Sequence, residues 1–185
     1  MKIVGIILAG GKSSRMGFDK TKIDFKGKSF LDKAIALMEN FTDNILVSSN
    51  NDVDIKYPII KDEIKNIGPL GGIYTILKNI KNDVALIIPA DMPMLDKEII
   101  KKLIENYSEN DDICVFENNG KPEMLVGIYH KRLLPVIEKQ IEKKEYKLQI
   151  LLQKSVSKKI DGSLFTQQFI NINTPDDLKK YISKI

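Results

Sequence analysis

Short apolar runs alternate with longer stretches of helical periodicity along nearly the whole chain of 185 residues. This alternation is typical of strand and helix units that feed a mostly parallel sheet. The runs that predict strands cover residues 3–8, 45–47, 57–60, 84–88, 113–116, 125–129 and, more weakly, 169–172. The pattern therefore predicts an α/β fold, a Rossmann-like three-layer sandwich with helices on both faces of the sheet.

Helix starts are indicated by residue types that cap a first turn. Ser29 followed by Asp32 predicts a capping box before a helix over residues 30–40. Further helices are expected after Gly68 and Pro69, after Asp96, around residues 133–141, and after Thr174 with Asp177 three residues later. Because the sequence contains no internal repeat and no linker, residues 1–185 are expected to form a single domain.

Composition limits the classes of function. The net charge of +4 comes from lysines spread along the sequence, a pattern that does not favour nucleic acid and suits a small anionic substrate. The single cysteine, Cys114, and the single histidine, His130, exclude an internal disulfide and a cysteine and histidine zinc site. We expect a cytoplasmic protein without a membrane segment, since no apolar run approaches about 20 residues. We interpret His130 as a solvated or capping residue.

The first chemical motif is LAGGKSSRMGFDK, residues 8–20, which follows the first predicted strand. Gly10 and Gly11 allow backbone N–H groups to turn toward an anion, and Arg15 and Lys20 add positive charge beside them. The stretch matches neither of the two standard phosphate-loop patterns, GxxxxGK[ST] and GxGxxG. The alternative is a surface turn with solvated lysines.

The second motif is PADMP, residues 89–93, at the end of a strand that is predicted to be buried. The carboxylate of Asp91 is fixed at the strand end between two prolines, which suits a ligand of Mg²⁺. The alternative is an aspartate that caps a helix or stabilises a turn.

Two weaker motifs follow. In KDEIKNIGPLGG, residues 61–72, Asp62 ends a short strand, and the nearby glycines permit close approach of a ligand or of a packed helix. In FININTPDDL, residues 169–178, Asn171 and Asn173 would lie on one face of a strand end. The alternative there is a strand followed by a capped helix. For residues 120–130 two accounts stay open: a ligand contact through Lys121 or Glu123, and a tight turn beside a strand.

Four motifs together resemble the molybdenum cofactor guanylyltransferase family, the MobA-like nucleotidyltransferases, in their order and approximate spacing. These motifs are LAGGKSSRMGFDK, GPLGG, PADMP and NINTPDDL. The resemblance spans nearly the whole chain. It implies a fold of the nucleotide-diphospho-sugar transferase type. It also implies transfer of GMP from GTP to the terminal phosphate of molybdenum-bound molybdopterin, with release of pyrophosphate.

The resemblance also implies roles for individual residues. The nucleotide would be bound by Leu8, Ala9, Gly10, Gly11, Lys20, Asn50, Asp62 and Asp91, the metal Mg²⁺ by Asp91, and the acceptor by Asn171 and Asn173. We infer catalytic roles for Arg15, Lys20 and Asp91, which would neutralise the triphosphate. No general base is expected, because the acceptor phosphate is already largely ionised near neutral pH.

GTP and molybdenum-bound molybdopterin are thus the expected partners, together with transient contacts to cofactor-delivery proteins or molybdoenzymes. Other hypotheses stay open at this stage. The chain could use CTP on the same pterin, or transfer a nucleotide to a sugar phosphate. It could also be a carrier that binds a nucleotide or the cofactor without catalysis.

Overall fold

A computed structural model describes residues 2–9, 24–25 and 28–182. Seven of the described strands form one sheet, in the order β5-β4-β1-β6-β8-β7-β9, and β2 pairs with β3 in a separate ribbon. The strands are β1 (Ile3–Leu8), β2 (Asp24–Phe25), β3 (Lys28–Ser29), β4 (Ile45–Ser48), β5 (Ile59–Ile60), β6 (Val84–Pro89), β7 (Ile113–Asn118), β8 (Lys121–His130) and β9 (Ser157–Asp161). Within the seven-stranded sheet β8 is antiparallel to both neighbours, and the other pairs are parallel.

Helices cover both faces of this sheet. They are α1 (Phe30–Met38), α2 (Pro69–Asn79), α3 (Lys97–Asn106), α4 (Leu134–Glu142), α5 (Leu148–Gln153) and α6 (Pro175–Ile182). Helices α1 and α3 pack in one core, and α2, α4 and α5 pack in the core on the opposite face. The predicted α/β three-layer sandwich is therefore confirmed. Every residue of β6 is buried, as expected for a strand covered on both faces.

Three of the predicted helix starts, those of α1, α3 and α6, are confirmed by their capping hydrogen bonds. The Ser29 hydroxyl accepts from the Asp32 N–H over 3.0 Å, and the Asp32 carboxylate accepts from the Ser29 N–H over 3.3 Å. The Asp96 carboxylate accepts from the first turn of α3. At α6 the Thr174 hydroxyl accepts from the Asp177 N–H over 3.0 Å, and Asp177 accepts from the Thr174 N–H over 2.8 Å.

The strand predicted at residues 169–172 is wrong. This stretch has no regular structure, and its buried residues, Phe169 and Ile172, are three positions apart and not two. The last strand of the sheet is β9 instead, which lies at an edge and buries Ile160 while Lys158 and Lys159 stay exposed. An edge strand of this kind carries no apolar run, because charged side chains protect its open side.

Two residues that the composition singled out have structural roles. Cys114 on β7 is fully buried, and burial raises the pKa of its thiol to about 11. His130 accepts a hydrogen bond at Nδ1 from the Arg132 N–H over 3.0 Å and so caps the short 3-10 helix Lys131–Leu133, as predicted. Among the described helices, none has the length and apolar character needed to span a bilayer.

Candidate active site

The carboxyl ends of the parallel strands lie in a row along one side of the sheet, where ligands of open α/β sheets bind. We call this row of strand ends the edge of the sheet, as distinct from its outermost strands. Backbone hydrogen bonds continue past the strand ends and order the residues that follow. Ala9 N–H donates to the Ser48 carbonyl over 2.8 Å, Ala90 N–H to the Leu8 carbonyl over 3.0 Å, and Ser49 N–H to the Ile60 carbonyl over 3.0 Å. The ends of β1, β4, β5 and β6 therefore form one continuous, ordered edge.

Asn50 and Asp62, two of the predicted nucleotide contacts, are joined directly. The Asn50 side-chain amide donates to Asp62 Oδ2 over 3.0 Å, and the Asp62 backbone N–H donates to Asn50 Oδ1 over 3.1 Å. Asn50 follows β4 and Asp62 follows β5, so this pair ties the ends of two neighbouring strands. The carboxylate of Asp62 is half-buried and has a fixed direction.

The first turn of helix α2 packs next to Asp62. A Cβ at Gly72 would lie 3.5 Å from Asp62 Oδ1, 3.7 Å from the Ser48 hydroxyl oxygen and 3.9 Å from a methyl carbon of Leu8. A Cβ at Gly71 would come within 2.7 Å of the Ile64 carbonyl oxygen. Gly71 is therefore a packing glycine, which was one of the two interpretations left open, while Gly72 lies against residues at the strand ends.

Asp91 lies two residues past the end of β6 and is half-buried. Its carbonyl oxygen accepts a hydrogen bond from the Ile172 N–H over 2.9 Å. Ile172 is fully buried and packs with Phe30, Met94 and Leu178. The structure thus brings the predicted metal ligand and the predicted acceptor-binding stretch together, although 80 residues separate them in the sequence.

We call residues 162–173 the crossing segment, because they run from the end of β9 to Asp91. Phe165 and Phe169 pack against Phe116 of β7, with ring centroids 5.6 and 5.4 Å apart. Asn171 and Asn173 do not lie on a strand, which corrects the geometry predicted for them. They are exposed on either side of the buried Ile172, so the segment holds both backbone positions next to Asp91.

Glu123 lies at the same edge, near the start of β8. The tight turn Asn119–Gly120, with φ of 49° and 73°, joins β7 to β8 and confirms the predicted turn. The Asn118 amide donates to Glu123 Oε1 over 3.5 Å, and the Thr166 hydroxyl of the crossing segment donates to Asn118 Oδ1 over 2.8 Å. Burial raises the pKa of the Glu123 carboxyl, and the Asn118 hydrogen bond opposes this effect. The turn signal was visible in the sequence, but the burial of Glu123 was not.

Four predicted site residues, Gly10, Gly11, Arg15 and Lys20, lie outside the described residues. Leu8 and Ala9 are described, and both are half-buried at the end of β1. In the described part of the chain no three histidine, cysteine, aspartate or glutamate side chains are grouped closely enough to enclose a metal ion.

A family model described as the MobA-like NTP transferase domain matches residues 5–159. The chain belongs to this family. It is 37% identical over 176 residues to a Flavobacterium johnsoniae protein named "Probable molybdenum cofactor guanylyltransferase", with 93% of this chain and 92% of the relative covered. It is 29% identical to the molybdenum cofactor guanylyltransferase of Vibrio atlanticus, with coverage of 95% and 93%.

The fold agrees with this membership. The crystal structure of molybdopterin-guanine dinucleotide biosynthesis protein A from Archaeoglobus fulgidus superposes with a TM-score of 0.81 at 23% identity, and both chains are covered completely, at 100%. The strand order divides the edge of this MobA-like domain into two halves. Leu8, Asn50 and Asp62 lie on the β1, β4 and β5 side, and Asn118 and Glu123 on the β8 and β7 side. Asp91, after β6, lies between the halves, an arrangement suited to a reaction between two substrates.

Proposed function

We propose that this chain transfers GMP from GTP to the terminal phosphate of molybdenum-bound molybdopterin. An oxygen of the acceptor phosphate forms a bond to the α-phosphorus of GTP, the bond from that phosphorus to the β-phosphate bridge breaks, and pyrophosphate leaves. The observation that carries the proposal is the 37% identity to a guanylyltransferase-named relative over 93% of the chain. The division of the sheet edge into two halves around Asp91 supports it. We also propose that residues 1–185 form a single nucleotidyltransferase domain and act in the cytoplasm.

The nucleotide would occupy the half of the edge formed by β1, β4 and β5. We assign guanine and ribose contacts to Leu8, Ala9 and Gly10, with Gly11 beside them, and further contacts to Asn50 and Asp62. The mutual hydrogen bonds of Asn50 and Asp62 hold the carboxylate in place before a ligand arrives. Preorganisation of this kind lowers the entropy cost of binding.

The reaction centre would lie at Asp91. A carboxylate at a strand end, with no cluster of further acidic, histidine or cysteine ligands among the described residues, fits Mg²⁺, which binds through one or two carboxylates plus phosphate oxygens. When bound, Mg²⁺ would neutralise charge on the triphosphate. Lys20 and Arg15 would add positive charge to the phosphates and to the departing pyrophosphate. Asn171 and Asn173, held beside Asp91 by Ile172, would bind the acceptor.

Calorimetric titration with GTP, CTP, ATP and UTP, each with Mg²⁺ and again with EDTA, tests the first part of this proposal. We expect preferential binding of GTP that weakens in EDTA. Transfer from GTP labelled at the α-phosphorus to molybdenum-bound molybdopterin tests the second part. A preference for CTP would assign the chain to a related nucleotidyltransferase activity that uses CTP in place of GTP. Nucleotide binding without transfer to any phosphorylated acceptor would favour a carrier, and absence of nucleotide binding would exclude the enzyme.

A further inference from the structure

The first residues of β8 form a large bulge at the edge that carries Asp91. Val115 pairs with Gly127, and Glu117 pairs with Pro122. Four residues of β8, 123–126, therefore lie opposite the single residue Phe116 of β7. Bulges redirect side chains and are enriched next to active sites.

The bulge is held in place by specific contacts. Tyr129, fully buried, donates its hydroxyl hydrogen to the carbonyl oxygen of Met124 inside the bulge. Asn118 contacts Glu123, and Thr166 fixes Asn118 from the crossing segment. These contacts hold the backbone of the bulge and place the Asn118 amide next to the Glu123 carboxylate.

Glu123 lies at the same edge of the sheet as Asp91, on the strand next to β6. Ile87 of β6 pairs with Gly127 of β8, and the two strands are antiparallel. This is the last pair that the two strands share: beyond it the chain continues from the end of β6 to Asp91, and Glu123 lies among the bulged residues of β8. Since the proposed nucleotide contacts lie on the other side of β6, Glu123 lies on the acceptor side.

The surroundings of Glu123 differ from those of Glu117, the nearest carboxylate on β7. Its neighbour Glu117 forms an ion pair with Lys159 over 2.6 Å, whereas Glu123 has a long hydrogen bond from Asn118 and no ion pair within the described part of the chain. Burial accordingly raises its carboxyl pKa. A partly desolvated carboxylate without a cation costs stability, and groups of this kind cluster at functional sites.

We propose that Glu123 binds the pterin ring of the acceptor, by accepting hydrogen bonds from its ring N–H and amino groups. This inference rests on the proposed function. The acceptor phosphate is excluded as the partner, because two negative charges would repel each other. Guanine is excluded because its contacts are assigned to the opposite half of the edge. A pterin presents several N–H donors, and a carboxylate is the strongest acceptor that a side chain offers.

The test compares steady-state kinetics of the full-length protein and its Glu123→Gln variant, with GTP and molybdenum-bound molybdopterin varied in turn. Glutamine keeps the shape but loses the charge and one acceptor. A hydrogen bond to a charged group changes affinity by about 10- to 100-fold, so we expect the acceptor KM to rise by at least about tenfold. The GTP KM should change less than about twofold, since a residue confined to the acceptor half makes no nucleotide contact.

Glu117→Gln is the matched control, since it removes a lysine-paired carboxylate from the same strand ends and should leave both KM values unchanged. Thermal unfolding of both variants separates binding from structure. An unchanged acceptor KM in Glu123→Gln, or a lowered melting temperature with both KM values raised, would overturn the inference and leave the proposed function intact. If the unsubstituted protein transfers no GMP to the acceptor, the proposed function fails, and the inference fails with it.

Discussion

The N–H of Ile172 donates to the carbonyl oxygen of Asp91 over 2.9 Å and joins the C-terminal part of the chain to the end of the central strand. This hydrogen bond thereby sets the distance between Asp91 and the proposed acceptor-binding residues Asn171 and Asn173. The crossing segment is anchored at its other end by Phe165 and Phe169 on Phe116. Asn171 and Asn173 consequently owe their position to buried apolar neighbours and not to local strand geometry.

Ile172→Ala should damage acceptor binding more than nucleotide binding. Truncating a fully buried isoleucine costs about 2–5 kcal/mol of unfolding free energy, and here it also loosens the crossing segment. We expect a raised acceptor KM with little change in GTP affinity. Ile137→Ala on α4, equally buried on the opposite face, is the matched control and should lower stability without changing the acceptor KM. Equal kinetic effects of the two variants would contradict the prediction.

Asp91→Asn should lower kcat by about 100-fold or more, because it removes a charge at the proposed reaction centre. GTP affinity should change far less, since the base and ribose contacts remain. Single-turnover kinetics and calorimetry together separate the two quantities. Asp83→Asn, an exposed aspartate just before β6 at the other edge of the sheet, should behave like the unsubstituted protein. Full turnover by Asp91→Asn would refute the assignment.

Asn50 and Asp62 should act as one unit in nucleotide binding. Each hydrogen bond between them contributes about 1 kcal/mol, and removing either side chain disturbs the other. We expect Asn50→Ala and Asp62→Ala each to weaken GTP binding, and the double variant to lose less than the sum of the two losses. Calorimetric titration of all four proteins measures the coupling. Strictly additive losses would show that the two residues bind the ligand independently.

Gly71→Ala and Gly72→Ala should differ in stability although both lie in the first turns of α2. The new methyl at position 71 would meet the Ile64 carbonyl oxygen at 2.7 Å, which forces the backbone apart and costs about 1–3 kcal/mol. At position 72 the nearest atom is 3.5 Å away, an ordinary contact, so stability should be retained or rise by about 0.5–1 kcal/mol. Urea denaturation measures the free energy of unfolding of both variants, and we expect the lower value for Gly71→Ala.

Cys114 should make the stability fall at alkaline pH. Its pKa is raised to about 11 in the folded chain from an ordinary value of 9.0, so the folded state holds the thiol proton more tightly than the unfolded state. The resulting stabilisation is complete below pH 9 and is lost as the pH rises toward 11, with a slope of at most about 1.4 kcal/mol per pH unit. Denaturation curves of the unsubstituted protein and Cys114→Ala across this range isolate the effect. Parallel pH profiles would contradict it.

Local signals were sufficient for much of the fold. The apolar run at β1 and the capping residues Ser29, Asp96 and Thr174 act over a few residues, so the sequence alone located these strand and helix starts. Asp91 was located correctly after β6 for the same reason, since a buried strand that ends in a proline and an aspartate is a local pattern. The chemical roles assigned to it and to the other site residues stay predictions.

Contacts distant in sequence were decided by the tertiary structure. Strand β9 and the irregular path of residues 169–172 depend on which segment pairs with β7, and this pairing leaves no local periodicity in a charged edge strand. The bulge that contains Glu123 has three surplus residues in β8, which only the pairing of two strands reveals. The sequence alone therefore determined the class of fold and the strand end that carries Asp91. The contact of Asp91 with Ile172, and the position of Glu123 at the same edge, were decided by packing, because burial and register are properties of the whole sheet.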